Sequence, residues 1–345
     1  MKSATFVFFV LLATLFPACA LTNGQGGSAV TSPNDGHYRN AASTATPAKQ
    51  GNIMVFTTLG TQSGPIASPT RSQPAFLLYN DKQYILIDAG DGAAEQLAKV
   101  NVPLEKFQTI ILTHLHIDHT GGLYAILGMR LQSHITGDLA IYGPPETKRL
   151  VDGLIAAQQP LMDLVNALGV PGGATPLDVI KVIEVADGSK FTVGDVSLTA
   201  ATNTHYSFSD NSQNAARFQS LSYRFDTPDR AIVFTGDTGP SANIEKLARN
   251  ADLLVSEIMD VDEALERLKQ ARPDIPAIAW IFVKKHLEDE HLTADEVGKL
   301  VQRSGAKSLV LVHNAGSARA NERERDIITS YFKGPVAFAN DLDNY

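Results

Sequence analysis

The segment Thr113-His114-Leu115-His116-Ile117-Asp118-His119-Thr120-Gly121-Gly122 constrains this chain more than any other. Three imidazoles and a carboxylate fall within six residues. No fold needs such a cluster for packing, because each buried imidazole must find a partner or stay solvated. His114 and His116 are two apart, so on an extended loop both rings can face one side. Asp118 and His119 follow the turn, and Gly121-Gly122 lets the backbone approach closely before the next helix. Donors of this kind suit Zn²⁺ or a similar borderline cation, with Mn²⁺ or Fe as the alternatives. The fold must therefore present a loop, entered from a strand and left by a helix, at a ligand-binding edge.

The rest of the chain supplies such an edge. From about residue 52, short apolar and β-branched runs alternate with helix-like stretches, the pattern of an α/β domain. Strands are expected at Ile53–Leu59, Ala75–Tyr79, Tyr84–Ile87, Thr109–Thr113, Leu139–Tyr142, Val179–Val185, Ser197–Thr202, Ala231–Thr235 and Ser308–Val312, with Asn80-Asp81-Lys82-Gln83 as a hairpin turn. Helices are expected at Ala93–Val100, Leu123–Leu127, Asn243–Arg249, Val261–Gln270 and Ala294–Gln302, and Glu146–Leu168 reads as mostly helical but broken at Pro160. Several strands run into a ligand-type residue: Tyr84–Ile87 into Asp88, Thr109–Thr113 into His114, Ser197–Thr202 towards His205, Ala231–Thr235 towards Asp237, and Ser308–Val312 into His313. Loops after strand C-termini gather at one rim of an α/β sandwich. These Asp and His residues are expected to converge there.

The loop and the order of the later residues resemble the metallo-β-lactamase superfamily over about 52–345. The resemblance implies a four-layer αβ/βα sandwich and a dinuclear centre holding two Zn²⁺ per chain. It assigns His114, His116, His205 and Asp237 to one metal, and Asp118, His119, Asp237 and His313 to the other. Asp88 matches the aspartate that steadies the metal loop. On the residues alone, His205 could be an ordinary strand-end histidine and Asp237 a turn aspartate, but a carboxylate can bridge two cations and a histidine cannot. His286, His291 and His313 compete for the last ligand position. His313 closes a strand, whereas His291-Leu292-Thr293 precedes a capping box of Thr293 with Glu296. That pair resembles the tRNase Z and arylsulfatase branch, in which an accessory catalytic histidine precedes the last ligand. His286, in Lys284-Lys285-His286-Leu287-Glu288-Asp289-Glu290, reads as a surface residue.

Two cations sharing Asp237 would supply a hydroxide nucleophile near neutral pH and polarise the bond under attack. Asp118 and His291 are the candidate catalytic residues, His291 as proton donor to the leaving group. The leading expectation is a hydrolase acting on a small phosphodiester or related ester. A lactonase or β-lactamase of the same fold is the alternative, and a non-catalytic binding protein that retains the metals is a third reading. Small-molecule substrates and no nucleic-acid partner are expected. Lys plus Arg is 29 against Asp plus Glu 37, a net charge of −8, and affinity for nucleic acid comes mainly from cations that neutralise phosphates. Moreover, 146–178 carries only Lys148 and Arg149, unlike a basic arm for tRNA, and Val255-Ser256-Glu257 has Ser where that branch commonly has His. The apolar residues of 146–178 either cover the cleft as a lid or pack on the sheet. Residues 258–290 form the other candidate wall, with Trp280 expected in the core.

The chain's first residues add a location. Met1-Lys2, an apolar run from Phe6 to Phe16, and Pro17-Ala18-Cys19-Ala20 have the grammar of a secretory signal peptide over 1–20. The run is too short for stable membrane insertion. Export to a periplasm or the exterior is expected, with lipidation at Cys19, the only cysteine, as the alternative. Residues 21–51, rich in Gly, Ser, Thr, Asn, Pro and Ala, read as a flexible lead-in to a single hydrolase domain over 52–345.

Overall fold

The computed structural model describes residues 54–80, 82–169, 177–206, 208 and 212–345. The expected signal peptide at 1–20 with Cys19, the lead-in at 21–51, Ile53, Asp81 of the hairpin turn, and 170–176 of the possible lid lie outside the described residues.

One sheet has six strands in sequence order: β1 (Val55–Gly60), β2 (Ala75–Tyr79), β3 (Tyr84–Ile87), β4 (Phe107–Ile111), β5 (Leu139–Gly143) and β6 (Ile180–Glu184). The other runs from β7 (Lys190–Val193) through β8 (Val196–Thr202), β9 (Leu221–Asp226), β10 (Ala231–Phe234), β11 (Leu253–Glu257) and β12 (Leu309–Val312) to β13 (Val336–Phe338). Both faces of each sheet are covered, which is why the central strands read as continuous apolar runs rather than alternating ones. Period-2 geometry still sorts them. Phe76, Leu78, Ile85, Ile87, Phe225, Ile232, Phe234, Val255 and Val310 fill the space between the sheets. Leu77, Leu86 and Ile110 face outward beneath α1 (Ala93–Lys99), α3 (Leu123–Gln132) and α4 (Thr147–Ala157). Val233, Leu254, Leu309 and Leu311 do the same beneath α7 (Ala242–Leu247), α10 (Ala294–Ser304) and α11 (Ala318–Tyr331). The result is the four-layer αβ/βα sandwich.

The stretch read as helical but broken divides at Gln158, with Pro160 in the first turn of α5 (Gln159–Ala167), where a proline is tolerated. Gln158 is buried and its Nε2 donates to the Tyr124 carbonyl at 2.9 Å. Leu150, Leu154, Ile155, Leu161 and Met162 pack onto the outer cluster of the first sheet. The apolar surface of these two helices therefore serves packing, and the lid reading fails for them. Trp280 is also placed differently. It sits half-buried on α9 (Ala279–Asp289), a helix that pairs with α8 (Val261–Ala271) and leaves Ile281 and Phe282 exposed. Among the described residues no helix is long and apolar enough to cross a membrane.

Strands β3 and β4 run parallel, as do β10, β11 and β12; β8 has the same sense as β10 because both are antiparallel to β9. All six therefore open onto one rim, the place where α/β sheets bind ligands.

Candidate metal centre

The His-rich loop is held from beneath by Asp88. This residue follows β3 with φ of 54°, a left-handed conformation that persists in a non-glycine residue only when its surroundings impose it. Its backbone N–H donates to the Ile111 carbonyl at 2.8 Å. Its buried carboxylate accepts the Thr113 N–H and Oγ1–H, both at 2.8 Å, and His119 Nδ1 at 2.8 Å. Thr113 Oγ1 is in turn 3.0 Å from His114 Nδ1. With both Nδ1 atoms engaged, His114 and His119 direct Nε2 into the site, the usual way an outer carboxylate fixes a metal-binding imidazole. Gly90 and Gly122 make this nesting possible: a Cβ on Gly90 would lie 2.2 Å from the Asp118 carbonyl oxygen, and one on Gly122 would lie 2.3 Å from that of Gly90.

The rim brings the expected ligands into two adjoining groups. His114, His116 and His205 each offer one ligand atom, all within 4.8 Å of one another, and so do Asp118, His119, Asp237 and His313. Asp237 lies between them, with Oδ2 3.9 Å from His114 Nε2 and Oδ1 3.4 Å from His119 Nε2. His313, at φ 50° after β12, points Nε2 to within 3.1 Å of Asp237 and 3.5 Å of Asp118. His205 Nδ1 engages the Glu290 carbonyl at 3.0 Å, and its Nε2 stands 3.1 Å from His116 Nδ1.

These residues fit a cation on their own chemistry. His114 Nε2 and His119 Nε2 are buried with no hydrogen-bond partner in the protein. Buried polar atoms are seldom left so, and a metal ion would satisfy both. The charges point the same way. Burial works against a charge on His119, yet Asp237, Asp88 and Asp118 raise its pKa well above the usual value. Burial likewise opposes charge on His313, but Asp237, Asp118 and Glu257 push its pKa up to about 10. Asp118 is held down to about 2 because His119 and His313 outweigh its own burial. Burial first, and repulsion from His119, lower His114 well below its usual range; burial lowers His205 to about 4. Without metal, protons on His119 and His313 balance the carboxylates. Cation binding must displace them, so it releases protons and strengthens with pH.

His291 is drawn to the same rim but has its own carboxylate. Its Nδ1 is 2.7 Å from Glu257 Oε2, and Glu257 Oε1 accepts the Thr238 N–H. Burial lowers the His291 pKa, but Glu257 reverses this and the net shift is upward. Its ring stacks on His313 at 5.8 Å with planes 6° apart, and it also comes within ligand reach of His205 and Asp237. Thr293 begins α10 as expected, although the capping box is not closed: its side chain makes no cap hydrogen bond, and Glu296 pairs with Lys299 at 3.2 Å. Glu257 was not among the expected site residues. The signal for it was present, because β11 is another buried strand that ends on a polar residue.

A cavity of about 390 Å³ opens over Asp118, Asp237, His116, His205, His291 and His313. Its far wall is formed by α8 and α9, so residues 258–290 do line the cleft, whereas none of the described residues of 146–178 reaches it. His286 is exposed, as its charged surroundings suggest, but it is exposed to this cavity.

Residues 83–314 match the family model described as the beta-lactamase superfamily domain. The chain is 30% identical to the ribonuclease Z of Mycobacterium avium over 295 residues, covering 84% of this chain and 97% of the relative. Among solved structures, the metallo-β-lactamase fold protein YhfI from Bacillus subtilis superposes with a TM-score of 0.61 at 20% identity, over 85% of this chain and 98% of its own. The short form of human tRNase Z gives 0.58 at 21% identity, over 85% and 98%. The relatives overturn one expectation. A small-molecule substrate with no nucleic-acid partner was inferred from net charge and from the lack of a basic arm, yet the sequence aligns nearly end to end with enzymes named for acting on RNA. Net charge sums the whole surface, whereas a phosphodiester meets only the local field of the site. The chain belongs to the metallo-β-lactamase superfamily, near its tRNase Z branch, and is a metal-dependent hydrolase.

Proposed function

We propose that this chain hydrolyses phosphodiester bonds in RNA at a centre of two divalent cations, zinc being the best match to the donors. The observation that carries the reading is the pair of adjoining ligand groups with Asp237 between them and the Glu257–His291 pair beside them. The ribonuclease Z relatives supply the substrate class. His114, His116 and His205 would hold one cation, Asp118, His119 and His313 the other, and Asp237 both. Bound there, divalent cations stabilise charge on phosphoryl oxygens and provide a nucleophile at neutral pH.

The protein's own groups do the rest. Asp88 fixes the rings of His114 and His119. Asp118, kept ionised by its neighbours, stays an anionic acceptor across the working pH range. Glu257 takes the Nδ1 proton of His291 in a hydrogen bond, which leaves Nε2–H to be given to the departing oxygen. The upward shift keeps that proton on the ring nearer neutrality.

The test is turnover by one metal-loaded preparation on single-stranded RNA, bis-nitrophenyl phosphate, a lactone and a β-lactam. Phosphodiesters should be cleaved and RNA preferred; faster opening of the lactone or β-lactam would reverse the assignment. We further propose export, resting on the leader at 1–20 alone. N-terminal sequencing of the mature protein should begin at Leu21, and a lipid-modified Cys19 would show anchoring instead.

A further inference from the structure

The cavity beside the metal centre is larger than its ligands require. At about 390 Å³ it exceeds what one phosphate group needs and falls within the range of sites for organic ligands. Two helices shape it in the same way. Helix α8 contributes Ala264, Arg267 and Leu268, and α9 contributes Val283, His286 and Leu287. Each set has i, i+3, i+4 spacing and so forms one helix face. Both faces repeat one order: a small or branched apolar residue, a basic residue, a leucine.

Arg267 and His286 are the basic lining residues that belong to neither the ligand set nor the Glu257–His291 pair. Both are anchored. Arg267 Nη1 donates to the Ala315 carbonyl at 3.0 Å, tying the guanidinium to the loop after His313. His286 Nδ1 lies 2.6 Å from Glu290 Oε2, and the backbone carbonyl of Glu290 is the one that engages His205. Nε2 of His286 and the further N–H donors of Arg267 remain as groups with which to read a ligand.

We propose that this cavity holds one unstacked nucleotide adjacent to the scissile phosphodiester. Its base lies against Leu268, Val283 and Leu287, and Arg267 and His286 hydrogen-bond to the base edge or ribose. The inference rests on RNA being the substrate. Sequence-sensitive recognition of RNA works in this way, on bases splayed out of single-stranded segments. Because the cavity stands on one side of the metal centre, the base on only one side of the cut should matter.

The test uses metal-loaded protein and a single-stranded RNA oligonucleotide, with an abasic ribose placed on the 5′ or the 3′ side of the mapped cut. One of the two abasic substrates should lose about tenfold in kcat/KM, the scale of one base contact, and the other should change little. Leu268→Trp, which fills the cavity, should bring intact RNA down to the rate of the affected abasic substrate. Arg267→Ala should slow intact RNA more than that abasic RNA. Equal cleavage of intact and both abasic substrates by the unaltered protein overturns the inference without touching the RNA assignment. Cleavage of bis-nitrophenyl phosphate with no cleavage of any RNA overturns both.

Discussion

His291 owes its proposed role to a neighbour that strand β11 delivers. Glu257 holds Nδ1 and raises the ring's pKa, so the imidazole keeps its proton to higher pH. A proton donor is lost as pH rises through its pKa. Glu257→Gln should therefore move the alkaline limb of the kcat profile to lower pH, with metal content unchanged. His291→Ala should lower kcat about 100-fold or more and also keep its metal. Loss of metal from that variant would show that His291 and His313 have exchanged roles, since His291 is within ligand reach of His205 and Asp237. The Asp and His residues expected at this rim were legible in the sequence because each stands at or shortly after the end of an apolar strand. Glu257 was not. Its strand, Leu253–Glu257, is buried throughout and lacks the alternation that marks a half-exposed strand. His286 is exposed, as its charged stretch signals, but such a stretch does not say which surface is exposed, and here it is the cavity.

At the scale of elements, the two sheets are pinned together by aromatic contacts. Phe56 on β1 lies edge-on to Phe234 at 4.9 Å and stacks with Tyr345 at 5.9 Å, without solvent exposure. Phe56→Ala should cost about 3–5 kcal/mol in denaturant unfolding of the metal-loaded protein, while metal bound per folded chain stays constant. A cost below about 1 kcal/mol would mean that the layers are not held where this packing places them. Strands β2 and β3 have the ends that composition and hairpin chemistry suggest. Strand β9 was overlooked although Leu221, Tyr223 and Phe225 alternate with Ser222, Arg224 and Asp226, the period-2 pattern of a strand, and α11 because most of its surface is charged. For α11, tertiary packing supplies what a weak local signal lacks. Of the two readings of 146–178, lid or packed helix, α4 and α5 take the second. An apolar helical face shows that something is covered, and only the structure shows that α4 and α5 cover the outer sheet face.

The whole molecule is acidic, and among the described residues the cavity over its site is lined by one arginine and no lysine. Net charge of −8 misdirected the substrate reading, but it still has consequences for RNA. With few cations around the cleft, few counterions are released on binding. The slope of log kcat/KM for RNA against log salt should be shallow, about −1 to −2, over about 50 to 300 mM KCl. A slope steeper than about −4 would require a basic surface outside the cleft. The α/β class, by contrast, could be anticipated from the alternation of strands and helices, and the four-layer arrangement from the family resemblance that the metal loop carries.

The central claim is that RNA cleavage depends on the paired ligand groups around Asp237. Its most direct test titrates Zn²⁺ into chelator-stripped protein at fixed pH while recording cleavage of labelled RNA and bound metal together. Cleavage should be absent without metal and reach its plateau at two equivalents per chain, and Asp237→Ala should abolish both the activity and full loading. Saturation at one equivalent with full activity, or two bound equivalents with no RNA cleaved, would contradict the account.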